Sequence, residues 1–173
     1  MGVGCVIART DGCILLVKER TGPAAVKGGI WKLPTGLVDP AENLKDAAVR
    51  EAKEETCLDC VFESVICFRH SHGGSPALGA TSDLFFACLL RLKDNSQATT
   101  LQESEILDSC WVHFSRIHEV TGCAPGTAAR ELMERIVEVI SQNPNRVISC
   151  KKLPAWRRVA CDQWIYSPHS VMT

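Results

Sequence analysis

The chain has 173 residues, 46% of them hydrophobic, which is enough to close one hydrophobic core without disulfides or metal ions. Its 19 basic and 20 acidic residues give a formal net charge of −1, which disfavours wrapping nucleic acid or adhering to an anionic membrane. No apolar run approaches the roughly 18 residues that a membrane-spanning helix needs. We therefore expect an intracellular, cytoplasmic protein with a small soluble substrate and no membrane partner. A homodimer is left open.

The ten cysteines favour reduced thiols rather than a disulfide scaffold. Most of them stand singly inside apolar runs, where cysteine serves as a small hydrophobic residue. The pair Cys57 and Cys60, with His70 and His72 downstream, could be imagined as a zinc site, but the spacing matches no common zinc finger. Packing is the better interpretation.

The first half of the chain alternates short strands with turn signals. Residues 3–8 and 14–18 are β-prone runs on either side of Asp11-Gly12, a dipeptide typical of hairpin turns, so they should pair antiparallel. Residues 30–33 have strand character, which Pro34-Thr35-Gly36 should end. Further strands are expected at 61–69, 82–92 and 111–114.

Two helices complete the predicted elements. Residues 43–56 hold strong helix formers, with Asn43 as the N-cap and Asp46 in the position of a capping-box partner. Residues 128–140 place one apolar stripe on a second helix, made of Ala129, Leu132, Met133, Ile136, Val137 and Ile140. Strands interleaved with helices indicate an α/β sandwich with a mixed sheet. We assign residues 1–142 to this domain and 143–173 to a C-terminal extension without a predicted placement.

The first helix carries a cluster of carboxylates on its packing side. Leu44, Ala47 and Ala48 form the buried stripe, and its continuation by two turns consists of Glu51, Glu54 and Glu55. A solvated acidic face is the ordinary alternative, but it would lie on the other side of the helix. Clustered carboxylates repel one another, and hard oxygen ligands suit Mg²⁺ or Mn²⁺. The sequence thus predicts a metal site here.

Residues 36–58 resemble the Nudix box, Gly-x5-Glu-x7-Arg-Glu-U-x-Glu-Glu-x-Gly-U, in which U is apolar. The one departure is Cys57, which stands where the family has glycine at the helix end; unchanged backbone there would cost about 1 kcal/mol. Similarity to the family covers roughly residues 3–120, including 31–36 and 82–86. The chain is most similar to the eukaryotic branch that holds plant ADP-ribose/NADH pyrophosphatases and the fibroblast growth factor antisense protein. A further N-terminal domain often occurs in that branch, which leaves open that this chain is a fragment.

The resemblance implies a Nudix-type α/β/α sandwich and Mg²⁺-dependent hydrolysis of a diphosphate linkage. It implies that the metal ligands and catalytic carboxylates are Glu51, Glu54 and Glu55, with the Gly36 carbonyl as a further ligand. It also implies that Glu42 and Arg50 support the loop–helix geometry. Arg50 and Glu54, four residues apart, could orient a carboxylate or form a purely structural salt bridge.

Residues beyond the box are assigned less directly. Family members often draw a catalytic group from a later loop, for which Glu105 is the candidate and Glu103 the reserve; an ordinary surface glutamate is an equal alternative. Arg69 and Phe85 could bind a base or phosphates. Core packing of the phenylalanine is the competing interpretation.

The resemblance favours ADP-ribose or NADH as the nucleotide substrate. The proline that often marks the ADP-ribose subgroup is displaced here to Pro76. Other Nudix substrates (diadenosine polyphosphate, coenzyme A, oxidised nucleotide or capped RNA) and a catalytically weak binding module remain as alternatives. Capped RNA would require a basic surface, for which the local hints are Lys151, Lys152, Arg157 and Arg158.

Overall fold

The computed structural model describes residues 1–21, 25, 29–72, 82–142, 148–153 and 163–168. Within them, strands form an eight-stranded mixed sheet, and the path through seven of these strands is β6-β2-β1-β5-β4-β7-β8. The strands are β1 (Gly2–Ala8), β2 (Cys13–Glu19), β3 (Thr35–Leu37), β4 (Cys60–His72), β5 (Ser82–Leu92), β6 (Ile106–His113), β7 (Ile148–Leu153) and β8 (Gln163–Pro168). The central pair, β1 and β5, is parallel, whereas the other pairs are antiparallel.

Helices cover both faces of the sheet. Alternation along β1 sends Val6 to one face and Cys5 and Ile7 to the other. The first face packs against α3 (Ala128–Gln142), and the second packs against α1 (Leu44–Thr56). The predicted α/β/α sandwich with a mixed sheet is therefore confirmed. No helix in the described ranges is long and apolar enough to cross a membrane.

The strand predictions hold with one exception. The predicted hairpin is β1–β2, with Ala8 opposite Ile14, and the predicted strand at 111–114 is the end of the longer β6. The prediction of a strand at 30–33 is wrong. Only Lys32 bridges to Val17 there, and the strand forms instead after Pro34, as β3, which pairs with β1. Pro34 has no N–H for a ladder, which separates these two short pairings.

The helix α1 begins one residue after its N-cap, Asn43, as predicted. The capping contact differs from the prediction, because the Asn43 amide donates to the Asp46 carboxylate at 2.8 Å and no side-chain cap bond forms. At the other end, Cys57 takes left-handed angles (φ 58°, ψ 11°) and its N–H donates to the Lys53 carbonyl. Three of the buried side chains that fix this helix on the sheet are the predicted stripe, Leu44, Ala47 and Ala48.

The second predicted helix is α3, which follows a 3₁₀ turn (Phe114–Arg116) and the short α2 (Ile117–Thr121). Met133 and Ile136 of its predicted stripe are buried, and Leu132, Val137 and Ile140 pack at the margin of the same cluster. Ala129 is exposed, because it lies in the first turn before the helix reaches the sheet. Beyond α3, β7 and β8 pair with each other, and Val65 of β4 pairs with Ile148 of β7, so strands of the 143–173 extension add to the sheet edge. Its assignment as a separate unit remains a prediction.

Candidate active site

Arg50 connects the loop before α1 to the carboxylates on the helix. Its guanidinium donates to both oxygens of Glu42, with Nε to Oε1 and Nη2 to Oε2 each at 2.8 Å. Nη1 donates to Glu51 at 2.8 Å and to Glu54 at 3.1 Å, and Nη2 also reaches the Leu37 carbonyl. The planar fork of an arginine suits such a multidentate arrangement. One side chain thus fixes β3, the following loop and two of the three predicted ligands.

Glu51 lies directly against the backbone of Gly36. A Cβ atom at Gly36 would overlap the Glu51 carboxylate, so any other residue at this position would displace that group. The Glu51 side chain is only 13% exposed. The Glu51 carboxylate therefore lies beside the Gly36 backbone, and the role of the two residues as metal ligands stays a prediction.

Glu55 is a buried carboxylate whose charge is incompletely compensated. Its Oε2 atom has no hydrogen-bond partner among the described residues, although the N–H of Thr35 donates to this carboxyl group. Burial raises the pKa of Glu55 to about 7, with Lys32 opposing that rise and Glu51 adding to it. A buried carboxylate with a free oxygen lone pair is costly unless a cation neutralises it. The role of Glu55 as a metal ligand stays a prediction.

Glu54, the third of the predicted carboxylate ligands, is more exposed, with 51% of its side chain accessible to solvent. Glu51 and Glu54 both accept a hydrogen bond from Nη1 of Arg50, and the negative charge of Glu51 raises the pKa of Glu55. Even so, in the described part of the chain no three His, Cys, Asp or Glu side chains are arranged as a ready coordination sphere. Of the two cysteines considered for a zinc site, Cys60 is buried and Cys57 is exposed.

Residues 1–130 of the chain match the NUDIX domain family. The chain belongs to the Nudix family. It is 40% identical over 145 residues to Nudix hydrolase 2 of Arabidopsis thaliana, covering 84% of this chain and 49% of that protein. It is 33% identical over 125 residues to human nucleoside diphosphate-linked moiety X motif 6, covering 72% of this chain and 37% of the relative. The chain therefore spans about half, or less, of the length of these relatives.

The Nudix fold is also found by comparison with solved structures. A MutT protein from Methanosarcina mazei Go1 superimposes with a TM-score of 0.60 and 22% identity, covering 82% of this chain and 94% of that one. The departure of this chain from the Nudix box is accommodated locally, since Cys57 adopts the left-handed conformation that a glycine would adopt. The backbone of the box is thus retained despite the substitution.

Glu105, the predicted later catalytic residue, is exposed on a loop attached to the end of α1. The N–H of Gln102 donates to the Glu55 carbonyl at 3.2 Å, and the N–H of Thr100 donates to the Thr56 carbonyl at 3.0 Å. The carbonyls of Glu103 and Glu105 accept hydrogen bonds from Arg20. These backbone bonds place the loop beside the last turn of α1, while the catalytic role of Glu105 stays a prediction.

Arg69 and Phe85 lie next to each other on β4 and β5. The guanidinium carbon of Arg69 is 5.3 Å from the centroid of the Phe85 ring, and Arg69 also pairs with Asp83 at 3.5 Å. The Phe85 ring covers the strand β1, since a Cβ atom at Gly4 would lie 2.5 Å from its Cζ atom. Phe85 thus lies between the backbone of Gly4 and the Arg69 guanidinium, and 40% of the Arg69 side chain is exposed. Pro76 lies outside the described residues.

Lys32 lies near the predicted site but is not among the site residues predicted from the sequence. Its ammonium donates to the Thr35 hydroxyl at 2.6 Å and forms a salt bridge with Glu19. Among the influences on the Glu55 carboxyl, Lys32 is the largest that favours its charged form. In the sequence, Lys32 stands four positions before Gly36 and belongs to no charge pattern that would mark it as functional.

Proposed function

We propose that this protein hydrolyses the diphosphate linkage of a nucleoside diphosphate joined to a second moiety, with Mg²⁺ or Mn²⁺ as cofactor. ADP-ribose or NADH is the proposed substrate, and ADP-ribose would give AMP and ribose 5-phosphate. The observation that carries the proposal is the buried Glu55 carboxylate, whose Oε2 atom lacks a partner beside Glu51 on the box helix.

The donor set fits a hard divalent cation. The carboxylates of Glu51, Glu54 and Glu55 and the Gly36 carbonyl would hold it, because carboxylate and carbonyl oxygens are the ligands that Mg²⁺ and Mn²⁺ prefer. A metal ion bound there would neutralise the diphosphate charge and lower the pKa of a water molecule. The unsatisfied Glu55 oxygen is the feature of this chain that such an ion would satisfy.

The protein's own groups position this site. Arg50 orients Glu51 and Glu54, and Glu42 in turn holds Arg50. Glu105, on the loop attached to the end of α1, is the proposed group that accepts a proton from the attacking water. An intact Arg50 network also argues against a catalytically weak binding module, since such a module would have no need to orient carboxylates.

The proposed nucleoside end of the substrate lies toward Arg69. Arg69, whose guanidinium carbon lies 5.3 Å from the Phe85 ring centroid, lines a pocket of about 360 Å³ between β4 and α3, where a guanidinium would bind a base or a phosphate. A nucleoside diphosphate-linked substrate agrees with the name of the human relative. The choice of ADP-ribose or NADH rests on resemblance to the plant branch.

A hydrolysis panel tests this assignment. Purified protein is incubated with Mg²⁺, with Mn²⁺ or with a chelator, and its substrates are ADP-ribose, NADH, diadenosine tetraphosphate, coenzyme A, an oxidised nucleotide and capped RNA. Products are identified by chromatography. AMP formed from ADP-ribose or NADH only with metal supports the proposal. If both are inert while another substrate is cleaved, the substrate assignment is wrong and the hydrolase assignment stands.

Two further properties belong to the proposal. Intracellular localisation agrees with the many single cysteines, of which those in the described part of the chain are free thiols. A homodimer remains the proposed alternative to a monomer. Fractionation of cells and light scattering of the purified protein, respectively, measure these properties.

A further inference from the structure

The turn that carries Glu105 is closed by its own backbone. The carbonyl of Gln102 accepts hydrogen bonds from the N–H groups of Glu105 at 3.0 Å and Ile106 at 2.9 Å. Ile106 is buried and begins β6, whereas residues 103–105 are exposed. The 103–105 turn therefore stands at the start of β6, with a hydrogen-bonded base and exposed side chains.

One side of this turn is bound to the end of α1. The N–H of Thr100 donates to the Thr56 carbonyl at 3.0 Å, and the N–H of Gln102 donates to the Glu55 carbonyl at 3.2 Å. Both acceptors belong to the last turn of the box helix. The 103–105 turn thus begins beside the end of α1, directly after a backbone group that is bonded to the helix.

Arg20 follows β2 and holds the other side of the turn. Its backbone N–H donates to the Glu105 carbonyl at 2.7 Å, and its side-chain Nε donates to the Glu103 carbonyl, also at 2.7 Å. One residue thus bonds to both ends of the 103–105 turn. The backbone bond survives any substitution except proline, whereas the bond to Glu103 depends on the arginine side chain.

We propose that Arg20 is a positioning residue, which holds the 103–105 turn so that the Glu105 carboxylate keeps the place from which it accepts a proton from the attacking water. The inference rests on the proposed function, because Glu105 has its catalytic role only there. A general base must stay within hydrogen-bond reach of its proton, and an exposed turn keeps such a position only where its backbone is fixed. Arg20 itself need not touch the substrate.

The hydrogen-bond donor of Arg20 can be separated from its charge. Counted in bonds from Cα, the Nε of arginine, the Nε2 of glutamine and the Cε of methionine stand at the same position. Arg20→Gln therefore keeps an N–H donor there without the charge, and Arg20→Met keeps the length without the donor. If Arg20 acts by its bond to Glu103, glutamine should retain most of the activity. If it acts by attracting an anionic substrate, both variants should lose affinity for that substrate equally.

Steady-state kinetics with Mn²⁺ test the inference on the substrate that is cleaved fastest in the hydrolysis panel. Arg20→Met should lower kcat about tenfold, less than the cost of fully displacing a catalytic group, and should leave KM and the Mn²⁺ dissociation constant unchanged. Arg20→Gln should stay within about threefold of the wild-type kcat. Thermal unfolding is measured beside the kinetics, and Arg20→Leu provides the same comparison if the methionine variant does not fold.

A double-mutant cycle connects Arg20 to Glu105. Glu105→Gln should lower kcat by about a hundredfold or more, the usual contribution of a general base. Adding Arg20→Met to this variant should cause no further loss, because the turn then carries no carboxylate to position. Multiplied losses in the double variant would show that Arg20 acts elsewhere and would overturn the inference.

Arg116→Met is the matched control. Arg116 is also an exposed arginine, and it is separated from the 103–105 turn by the length of β6, about 23 Å. Its replacement should leave kcat unchanged. Wild-type kcat in Arg20→Met, or equal losses in the methionine and glutamine variants, overturns the inference while the proposed function stands. Wild-type kcat in Glu105→Gln overturns the inference and the role of Glu105, and absence of metal-dependent hydrolysis in the wild-type protein overturns the proposed function as well.

Discussion

Arg50 and Glu42 form a two-point ion pair across the junction between the loop and α1, with both donor–acceptor distances at 2.8 Å. The pair is half-buried, and the hydrogen bonds from Arg50 hold the pKa of the Glu42 carboxyl below its usual range. Because the same guanidinium bonds to Glu51 and Glu54, the geometry of the ligand set depends on this contact.

Replacing the Arg50 guanidinium with the single ammonium of a lysine should lower both stability and activity. Arg50→Lys keeps the positive charge but cannot bond to Glu42 at two points while reaching Glu51, so we expect a loss of about 1–2 kcal/mol in the free energy of unfolding. Turnover should fall as well, because the carboxylates lose their orientation. Chemical denaturation and kcat measure the two effects; a variant with wild-type stability and turnover would contradict this role of Arg50.

Cys57 is strained at the end of α1, and glycine should relieve that strain. A φ of 58° costs a residue with a Cβ atom roughly 1–2 kcal/mol in the folded state. Glycine avoids this cost, but it loses more backbone entropy on folding, which offsets part of the gain. Cys57→Gly should therefore raise the free energy of unfolding by about 0.5–1 kcal/mol. Cys57→Ala keeps the strain and should have little effect in the same denaturation experiment.

Ala41 offers an independent comparison, because it is the other non-glycine residue with positive φ in the described ranges, at 65°. Ala41→Gly should stabilise by a similar amount, and the double variant should show the sum of the two gains. Equal stability of Cys57→Gly and the wild type would show that the backbone relaxes when the thiol is present.

Glu55 should make the stability of the metal-free protein depend on pH. Burial raises its pKa to about 7 from 4.5, so the folded state binds a proton that the unfolded state releases. The contribution is fully present below about pH 4.5 and is lost as pH rises toward and through about 7. Glu55→Gln should remove this loss, so its stability advantage over the wild type should be larger at pH 8 than at pH 4.5.

Denaturant titrations in the presence of a chelator measure this dependence. Glu54→Gln is the control on the same helix, because it neutralises a carboxylate with 51% exposure instead of a buried one. The difference in free energy of unfolding between Glu55→Gln and the wild type should therefore change with pH. If it stays constant between pH 4.5 and 8, burial does not raise the pKa of this carboxyl group.

The sequence predicted those parts of the site that follow from periodicity and motif. Leu44, Ala47 and Ala48 set the buried face of α1, so the direction of Glu51 and Glu55 followed from helix geometry. The resemblance to the Nudix box led us to expect that Arg50 supports the loop–helix geometry, where it bonds to Glu42 and Glu51, whereas the role of Gly36 as a metal ligand stays a prediction. Contact between Glu51 and the Gly36 backbone agrees with both lines of reasoning.

Features that depend on long-range packing were not predictable in the same way. Residues Thr35–Leu37 form a strand because they pair with β1. No local sequence pattern predicts that pairing. Lys32 forms a salt bridge with Glu19, thirteen positions earlier, and the bridge between Val17 and Lys32 brings the two residues close. Similarly, Asn43 was expected to bond to the backbone, but a nearby Asp46 carboxylate accepts its donor instead.

Separating catalysis from folding requires substitutions that change charge and little else. Glu54→Gln and Glu55→Gln keep side-chain shape and helix propensity, so both variants should fold, and relief of carboxylate repulsion favours their metal-free forms. Loss of a ligand to an ion that supplies several kcal/mol of transition-state stabilisation should lower kcat by roughly a hundredfold or more. Thermal unfolding, with and without Mg²⁺, is measured beside kcat at saturating Mg²⁺.

The matched control for this last prediction is Glu134→Gln in α3. Glu134 has a similar exposure (47%) to Glu54 and the same spacing from its arginine, since Arg130 and Glu134 are an i, i+4 pair just as Arg50 and Glu54 are. If loss of such a surface pair were the cause of inactivity, Glu134→Gln would lose turnover together with Glu54→Gln. If the carboxylates act on the metal, Glu134→Gln keeps wild-type kcat, and the stabilisation by Mg²⁺ shrinks only in the α1 variants. Near-wild-type turnover in both α1 variants would show that this helix does not carry the chemistry.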